Sequence, residues 1–257
     1  MKQIIITVLV IAGIIAAAML ISGSDDVAGV ESNNFYGPEN GVITLTEYGD
    51  FECPACAGFF PYVSLVKEAF KDQVRFEFKH FPLVQIHQNA IAAHRAAQAA
   101  SNQGMFWEMH DLLYEGQATW RSSGQTSPTG APISNNPSGV FEEYARLLDL
   151  DLDLYIADVR NSETLGIINA DIDAGKTLGA ESTPTFYLDG VLIEDLNSLI
   201  GPDTGQGVNI TAFSSFLQNA IDEKNAEAAE APTEEAVTET SEPAAEDPQA
   251  KEEDATN

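Results

Sequence analysis

The 257-residue chain is expected to fold as an α/β domain carrying a helical insertion, and three observations support this. Segments of strand and helix character follow one another as strand, helix, strand, helical block, hairpin and closing helix. A C-x-x-C pair, Cys53 to Cys56, stands where the first strand runs into the first helix. Asp189-Gly190 separates two short apolar runs, a strong signal for a two-residue hairpin.

Each element has its own local reason. Gly41 to Tyr48 is rich in β-branched residues and bounded by turn formers, so it is expected to be a strand. A helical pattern begins after Cys53 and continues to about Phe70. Val74 to Lys79 alternates apolar and charged residues as a half-buried strand does, and Phe81-Pro82 ends it. Asn89 to Ala100 is dense in alanine and helical, and Met105 to Tyr114 is helical as well. Gly116 to Gly139 holds many Gly, Ser, Pro, Thr and Asn residues and is expected to be a long loop. Helices resume at Val140 to Leu148, Leu154 to Asn161 and Leu165 to Gly175. The hairpin Thr185 to Ile193 and an amphipathic helix from Ile210 to Ala220 close the domain.

The two ends differ from the middle. Residues 4 to 21 hold no charge; at about 1.5 Å per residue such a helix would be close to the roughly 30 Å hydrocarbon thickness. Lys2 precedes this run and Asp25-Asp26 follow it, which places the rest of the chain outside the cytoplasm. An uncleaved signal anchor over residues 1–23 fits better than a removed signal peptide, whose apolar core is usually shorter. A buried core helix is the third reading. Residues 24–40 are expected to be a linker, 41–222 the folded domain with its insertion at about 86–176, and 223–257 a disordered tail. The tail is acidic: from residue 225 on it has 11 acids against one lysine and nothing aromatic.

Charge excludes some functions. A formal net charge of −28 argues against nucleic acid as a partner, and against docking on an anionic membrane through a basic patch. Two cysteines exclude a scaffold stapled by several disulfides.

The cysteine pair has a mechanical reading. A cysteine at a helix N-terminus faces unpaired N–H groups and the positive end of the macrodipole, which favour its thiolate. Pro54 suits the first helical turn, where its missing N–H has no partner to lose. Two intervening residues leave the second sulfur within bonding reach, so a disulfide can be passed on by exchange.

Tyr48-Gly-Asp-Phe-Glu-Cys-Pro-Ala-Cys56, followed some 130 residues later by Ser182-Thr-Pro-Thr-Phe186 and Asp189-Gly190, resembles the DsbA-like branch of the thioredoxin superfamily. Phe81-Pro82-Leu83, the alanine-rich helix and Gln103-Gly104-Met105-Phe106 extend the resemblance over most of Gly41 to Ala220. It implies a thioredoxin-like fold with an inserted helical subdomain. Cys53 would be the exposed nucleophile, Cys56 the buried resolving thiol and Pro184 a cis-proline facing them. Thr183 would offer backbone hydrogen bonds to a substrate chain, and Pro61 would kink the first helix. Glu47 falls where relatives carry a buried acid that relays a proton to or from the resolving cysteine.

The Pro-Ala dipeptide departs from the best-known oxidising members, which carry histidine in its second position. With Asp50 and Glu52 nearby, the Cys53 thiolate is expected to be less stabilised than theirs. Other readings of the same residues are a structural disulfide, which so short a loop makes weak, and zinc, which needs two further ligands. His87 and His94 are the only paired histidines in sequence, and helix-surface or packing roles suit them better; His80 and His110 have no neighbour of that kind. Glu47 could equally be a satisfied core acid. Trp107 and Trp120 are read as anchors of core or loop, and Asn209-Ile-Thr211 matches a glycosylation acceptor.

The expectation is therefore a membrane-anchored, extracytoplasmic thiol–disulfide oxidoreductase that introduces disulfides into exported, cysteine-containing proteins. By resemblance it needs no metal or organic cofactor and is restored by a quinone-linked membrane partner. The alternatives are a reductase or isomerase on the same fold, and a non-enzymatic binding module or chaperone.

Overall fold

The structure, a computed structural model, describes residues 30–122, 137–200 and 207–230. Its centre is a five-stranded sheet in the order β1-β3-β2-β4-β5. Strands β2 (Ile43–Gly49) and β3 (Val74–His80) run parallel, joined by helix α1 (Pro54–Phe70) as a crossover. Strand β4 (Thr185–Leu188) lies antiparallel on the other side of β2, and β5 (Val191–Leu192) turns back on it. Asp189 and Gly190, at φ 47° and 81°, make that two-residue turn. Both central residues at positive φ is the backbone that an Asp-Gly pair adopts readily.

A two-residue strand β1 (Phe35–Tyr36) pairs antiparallel with β3. The stretch expected as a linker thus joins the sheet before residue 41. Ser32 and Asn34 are buried there, and Ser32 gives both its N–H (2.8 Å) and its hydroxyl (2.5 Å) to the buried Asp171 carboxylate. Two residues are too few to show a period-2 pattern, which is why composition assigned them to a linker.

The insertion contains α2 (Ala90–Ser101), α3 (Phe106–Glu115) and the single turn α4 (Gln117–Trp120). It continues with α5 (Ser138–Leu147), α6 (Leu152–Arg160) and α7 (Ser162–Thr177). Part of the expected long loop is therefore α4; the rest, 123–136, lies outside the described residues. Alanines on α2 let the other helices approach closely, and Asp151 caps α6 by accepting two N–H groups at 3.0 Å. A 3-10 turn, Leu196–Leu199, precedes the last helix, α8 (Thr211–Glu230).

Helix α8 runs past its expected end at Ala220, so residues 223–230 belong to it rather than to a disordered tail. Alanine and glutamate are good helix formers whatever their hydrophobicity, and Lys224 lies 3.6 Å from Asp189 at the hairpin turn. Asn209 serves locally, its side-chain oxygen accepting the Thr211 N–H at 3.0 Å. The proposed anchor at 1–23 and residues 231–257 lie outside the described residues. No helix among the described residues is long and apolar enough to cross a membrane.

Two apolar layers sandwich the sheet's functional end. Ile43, Leu45, Val66, Phe76, Phe186 and Phe213 pack between β-strands, α1 and α8. Phe51, Cys56, Phe78, Phe106, Met109 and Trp120 join the cysteine helix to the insertion. Gly49 ends β2 where a Cβ would stand 2.5 Å from the Phe78 ring. Gly49→Ala is therefore expected to lose about 1–3 kcal/mol of stability through overpacking, measured by urea denaturation; an unchanged midpoint would show that the ring can move aside.

Candidate active site

Cys53 is the N-cap of α1, in extended conformation at φ −70° and ψ 123°, with Pro54 as the first helical residue. Its N–H donates to the Asp50 carbonyl at 3.0 Å, and its carbonyl accepts the Ala57 N–H at 3.1 Å. Cys56, one turn on, is fully enclosed, and its sulfur accepts the Asp50 N–H at 3.5 Å. Both cysteines are free thiols in this structure. The Thr183–Pro184 bond is cis, and the Cys53 sulfur lies 3.4 Å from the Thr183 carbonyl oxygen. Sequence thus named four residues that folding brings to one place: Cys53, Cys56, Thr183 and Pro184.

One expectation needs correction. The nucleophile was expected to be exposed, but Cys53 is only 7% exposed. The Thr183 carbonyl contacts its sulfur from the β4 side, while the insertion packs beside it through Gln117.

The two sulfurs differ electrostatically. The Cys53 thiol is lowered to about 5, first by the hydrogen bond from Cys56. The backbone N–H groups of Cys56 and Ala55 add to this, and partial burial opposes it. Cys56 moves the other way, raised well above the ordinary thiol value by burial, then by its hydrogen bond with Cys53 and the charge of Glu47. At neutral pH the first sulfur is an anion and the second a thiol.

Glu47 reaches the pair from below. Ile43, Leu45 and Glu47 share the inward face of β2, so the period that buries two aliphatics also buries an acid. Its register neighbours are Phe78 and Phe186. Burial raises its carboxyl to about 8, the Cys53 charge adds to this, and Lys67 opposes it. Lys67 was not identified from the sequence, although it interrupts the apolar stripe Cys56, Phe60, Val63, Phe70 on α1. It is 4% exposed, with its ammonium 3.6 Å from Asp111 and 4.5 Å from the Trp107 ring centroid. Tyr114, whose buried hydroxyl has no hydrogen-bond partner among the described residues, also lies in the field of Cys56 and Glu47.

Asp50 and Glu52 are not the loose negative charges that sequence suggested. Both are buried and spend their oxygens on backbone. Asp50 accepts the Leu83 N–H at 2.9 Å, the Glu52 N–H at 2.8 Å and the His87 Nδ1 at 2.6 Å. Burial alone would raise its pKa; the bonds from His87, His94 and Leu83 hold it below the usual carboxylate range. His87 is raised in turn, chiefly by its bond to Asp50. Glu52 accepts the Asn89 N–H at 2.6 Å and the N–H and hydroxyl of Ser122.

The histidines that looked isolated in sequence meet in space. His80 Nδ1 lies 2.8 Å from His94 Nδ1, and His80 Nε2 lies 3.1 Å from Gln98. His87 and His94 both face Asp50. Among the described residues no group of three or more His, Cys, Asp or Glu is arranged to hold a metal ion.

A family model described as Thioredoxin matches residues 30–200. The chain is 37% identical over 156 residues to Na(+)/H(+) antiporter NhaA 3 of Salinispora tropica, covering 60% of this chain and 21% of that protein. It is 31% identical over 160 residues to Na(+)/H(+) antiporter NhaA of Herminiimonas arsenicoxydans, covering 62% and 23%. It therefore spans about a fifth of the length of these curated relatives. Among solved structures, a thioredoxin-like oxidoreductase from Silicibacter pomeroyi aligns with TM-score 0.53 at 22% identity, covering 80% of this chain and 99% of that one. Oxidised BdbD from Bacillus subtilis aligns with TM-score 0.52 at 17% identity, covering 74% and 91%. Alpha-DsbA1 of Wolbachia pipientis aligns with TM-score 0.53 at 19% identity, covering 78% and 94%. At these identities the likeness is one of fold.

Two titrations check this geometry. Alkylation of Cys53 is expected to follow a midpoint at about pH 5; a midpoint near the ordinary thiol value of about 8.5 contradicts it. Glu47 has a folded pKa above its unfolded value, so its contribution is complete below about 4.5 and is lost as pH rises through about 8. Glu47→Gln is then expected to be nearly neutral at low pH and stabilising by on the order of 2–4 kcal/mol well above pH 8. Denaturation of the reduced protein across that range decides it, and a pH-independent difference would rule the raised carboxyl out.

Proposed function

Because the chain belongs to the thioredoxin family and folds as its DsbA-like members do, we propose that it is an extracytoplasmic thiol–disulfide oxidoreductase, acting as a dithiol oxidase. The observation that carries this reading is the asymmetry of the pair, an anionic Cys53 beside a protonated Cys56. A stabilised thiolate favours the reduced enzyme over its disulfide, which makes the disulfide a stronger oxidant. It also makes Cys53 a good leaving group when a mixed disulfide is resolved.

The reaction starts from the Cys53–Cys56 disulfide. A substrate thiolate attacks the Cys53 sulfur, a substrate–Cys53 bond forms and the Cys53–Cys56 bond breaks. Cys56 leaves with the electron pair and takes a proton. Glu47, raised to about 8 and hence protonated at neutral pH, is the donor in reach of its field. A second substrate thiolate then attacks the substrate sulfur of the mixed disulfide and expels Cys53 as its thiolate. The substrate loses two electrons to its new disulfide and the enzyme gains them as a dithiol. Thr183 and Pro184 line the side of Cys53 on which the substrate chain lies. A quinone-linked membrane partner takes the electrons and restores the disulfide.

The apolar run at residues 4–21, with Lys2 before it, supports anchoring in the membrane with the domain outside the cytoplasm, where exported cysteine-containing proteins are its substrates. The relatives named as antiporters are several times longer than the matched segment, so their transport activity is not proposed for this chain. Their names do fit a redox domain that works at a membrane face.

Redox equilibration against glutathione is expected to give a potential well above the about −270 mV of thioredoxin; a value as reducing as that overturns the oxidase direction. Cys53→Ser should abolish exchange and Cys56→Ala should trap mixed disulfides with substrates. Unchanged behaviour of both variants would indicate a binding module instead.

A further inference from the structure

The inserted helices reach the reacting sulfur through one side chain. Gln117, the first residue of α4, is buried, and its Nε2 donates to the Phe51 carbonyl at 2.8 Å and the Cys53 carbonyl at 3.0 Å. No other hydrogen bond reaches the Phe51 carbonyl among the described residues. The Cys53 carbonyl thus has two donors, Gln117 and the Ala57 N–H.

Gln117 is itself held firmly. Trp120, at the other end of α4, is 1% exposed and donates its indole N–H to the Leu113 carbonyl at 2.9 Å. Asn89 donates to the Trp120 carbonyl at 2.7 Å, and Ser122 beyond it donates its N–H to Glu52 at 2.6 Å. Residues 117–122 therefore grip the loop before α1 at Phe51, Glu52 and Cys53.

We propose that Gln117 is a positioning residue for thiol exchange, its amide fixing the Cys53 peptide carbonyl and so aiming the first-turn N–H groups at the Cys53 sulfur. The proposal rests on Cys53 and Cys56 being the redox pair. The physical link is the torsion ψ of Cys53, at 123°. Turning the Cys53 carbonyl about the Cα–C bond swings the whole first turn relative to the sulfur. Pro54 has no N–H, so Ala55 and Cys56 supply the nearest backbone donors. Both N–H groups act on the Cys53 thiolate, and their benefit depends steeply on direction. They stabilise an anion and do little for a neutral disulfide. Loosening the carbonyl therefore weakens the reduced state selectively, which a purely structural side chain would not do.

Gln117→Met keeps the length and loses both donors, and Gln117→Asn keeps the amide one methylene short. Thiolate absorbance against pH and glutathione equilibration are measured on wild type and both variants, with thermal unfolding alongside. In Gln117→Met the thiolate midpoint is expected to rise by about one unit, with the glutathione equilibrium moving about tenfold toward the disulfide. Gln117→Asn should move both in the same direction by less, and it carries the test if the Met variant does not fold. Leu217→Ala, which opens a cavity under α8 in the apolar layer away from α4, is the control expected to lower Tm without moving the midpoint. Wild-type midpoints in the folded Gln117 variants, whatever their Tm, overturn the proposal and leave the redox assignment standing. A wild-type protein that forms no exchangeable disulfide overturns both.

Discussion

Stabilising a sulfur anion chiefly through dipoles is the constraint on which the site depends. Cys53 is served by dipoles, namely the Cys56 thiol and two backbone N–H groups. Dipoles act only over short distances and in the right direction, so the backbone carrying them has to be rigid. That requirement explains why so many buried polar side chains surround residues 50–53. Asp50 and Glu52 lie in this loop and Gln117 comes from the insertion, and each makes hydrogen bonds to backbone groups of the loop or of the segments packed against it. Leaving any of these buried groups unpaired would cost more than an ordinary surface contact.

The same site separates two sulfurs one helical turn apart. The helix end faces the cis-proline side, where donors converge, while the next turn sinks into the apolar layer between α1 and the insertion. Burial disfavours charge on Cys56, and the neighbouring Glu47 reinforces this. The sheet contributes through its register. Because side chains of β2 alternate in direction, the third inward position carries the acid between Phe78 and Phe186, with Lys67 opposing its raised pKa. The geometry thereby puts the anion at the helix end and a buried carboxyl of raised pKa in the field of both sulfurs.

The basic groups that matter are few, and acids hold them. Lys67 sits between Asp111 and two aromatic rings, and His87 is tied to Asp50. The insertion is functional architecture as much as covering, since α4 and the residues after it contact the cysteine loop directly.

Local pattern was enough for the elements that bury an apolar face. Strands β2 and β3, helices α1 to α3 and the Asp-Gly hairpin all follow from period and turn chemistry, and the cysteine pair with its distant Thr-Pro follows from residue type and spacing. Local pattern failed where elements are too short or too polar to show a period. It missed β1, took α4 as loop, and ended α8 early because an Ala/Glu run looks alike in a solvated helix and in a tail. By itself, then, the sequence determined the order of the longer elements, the cysteine pair at the helix start and the buried acid near it. Only the tertiary structure decided that Cys53 is covered, that Asp50 and Glu52 are partnered anchors, that His80 meets His94 while His87 and His94 face Asp50, and that Lys67 and Gln117 lie beside the cysteine pair. These are contacts between residues tens of positions apart, and their energies depend on burial and direction, which no local window contains.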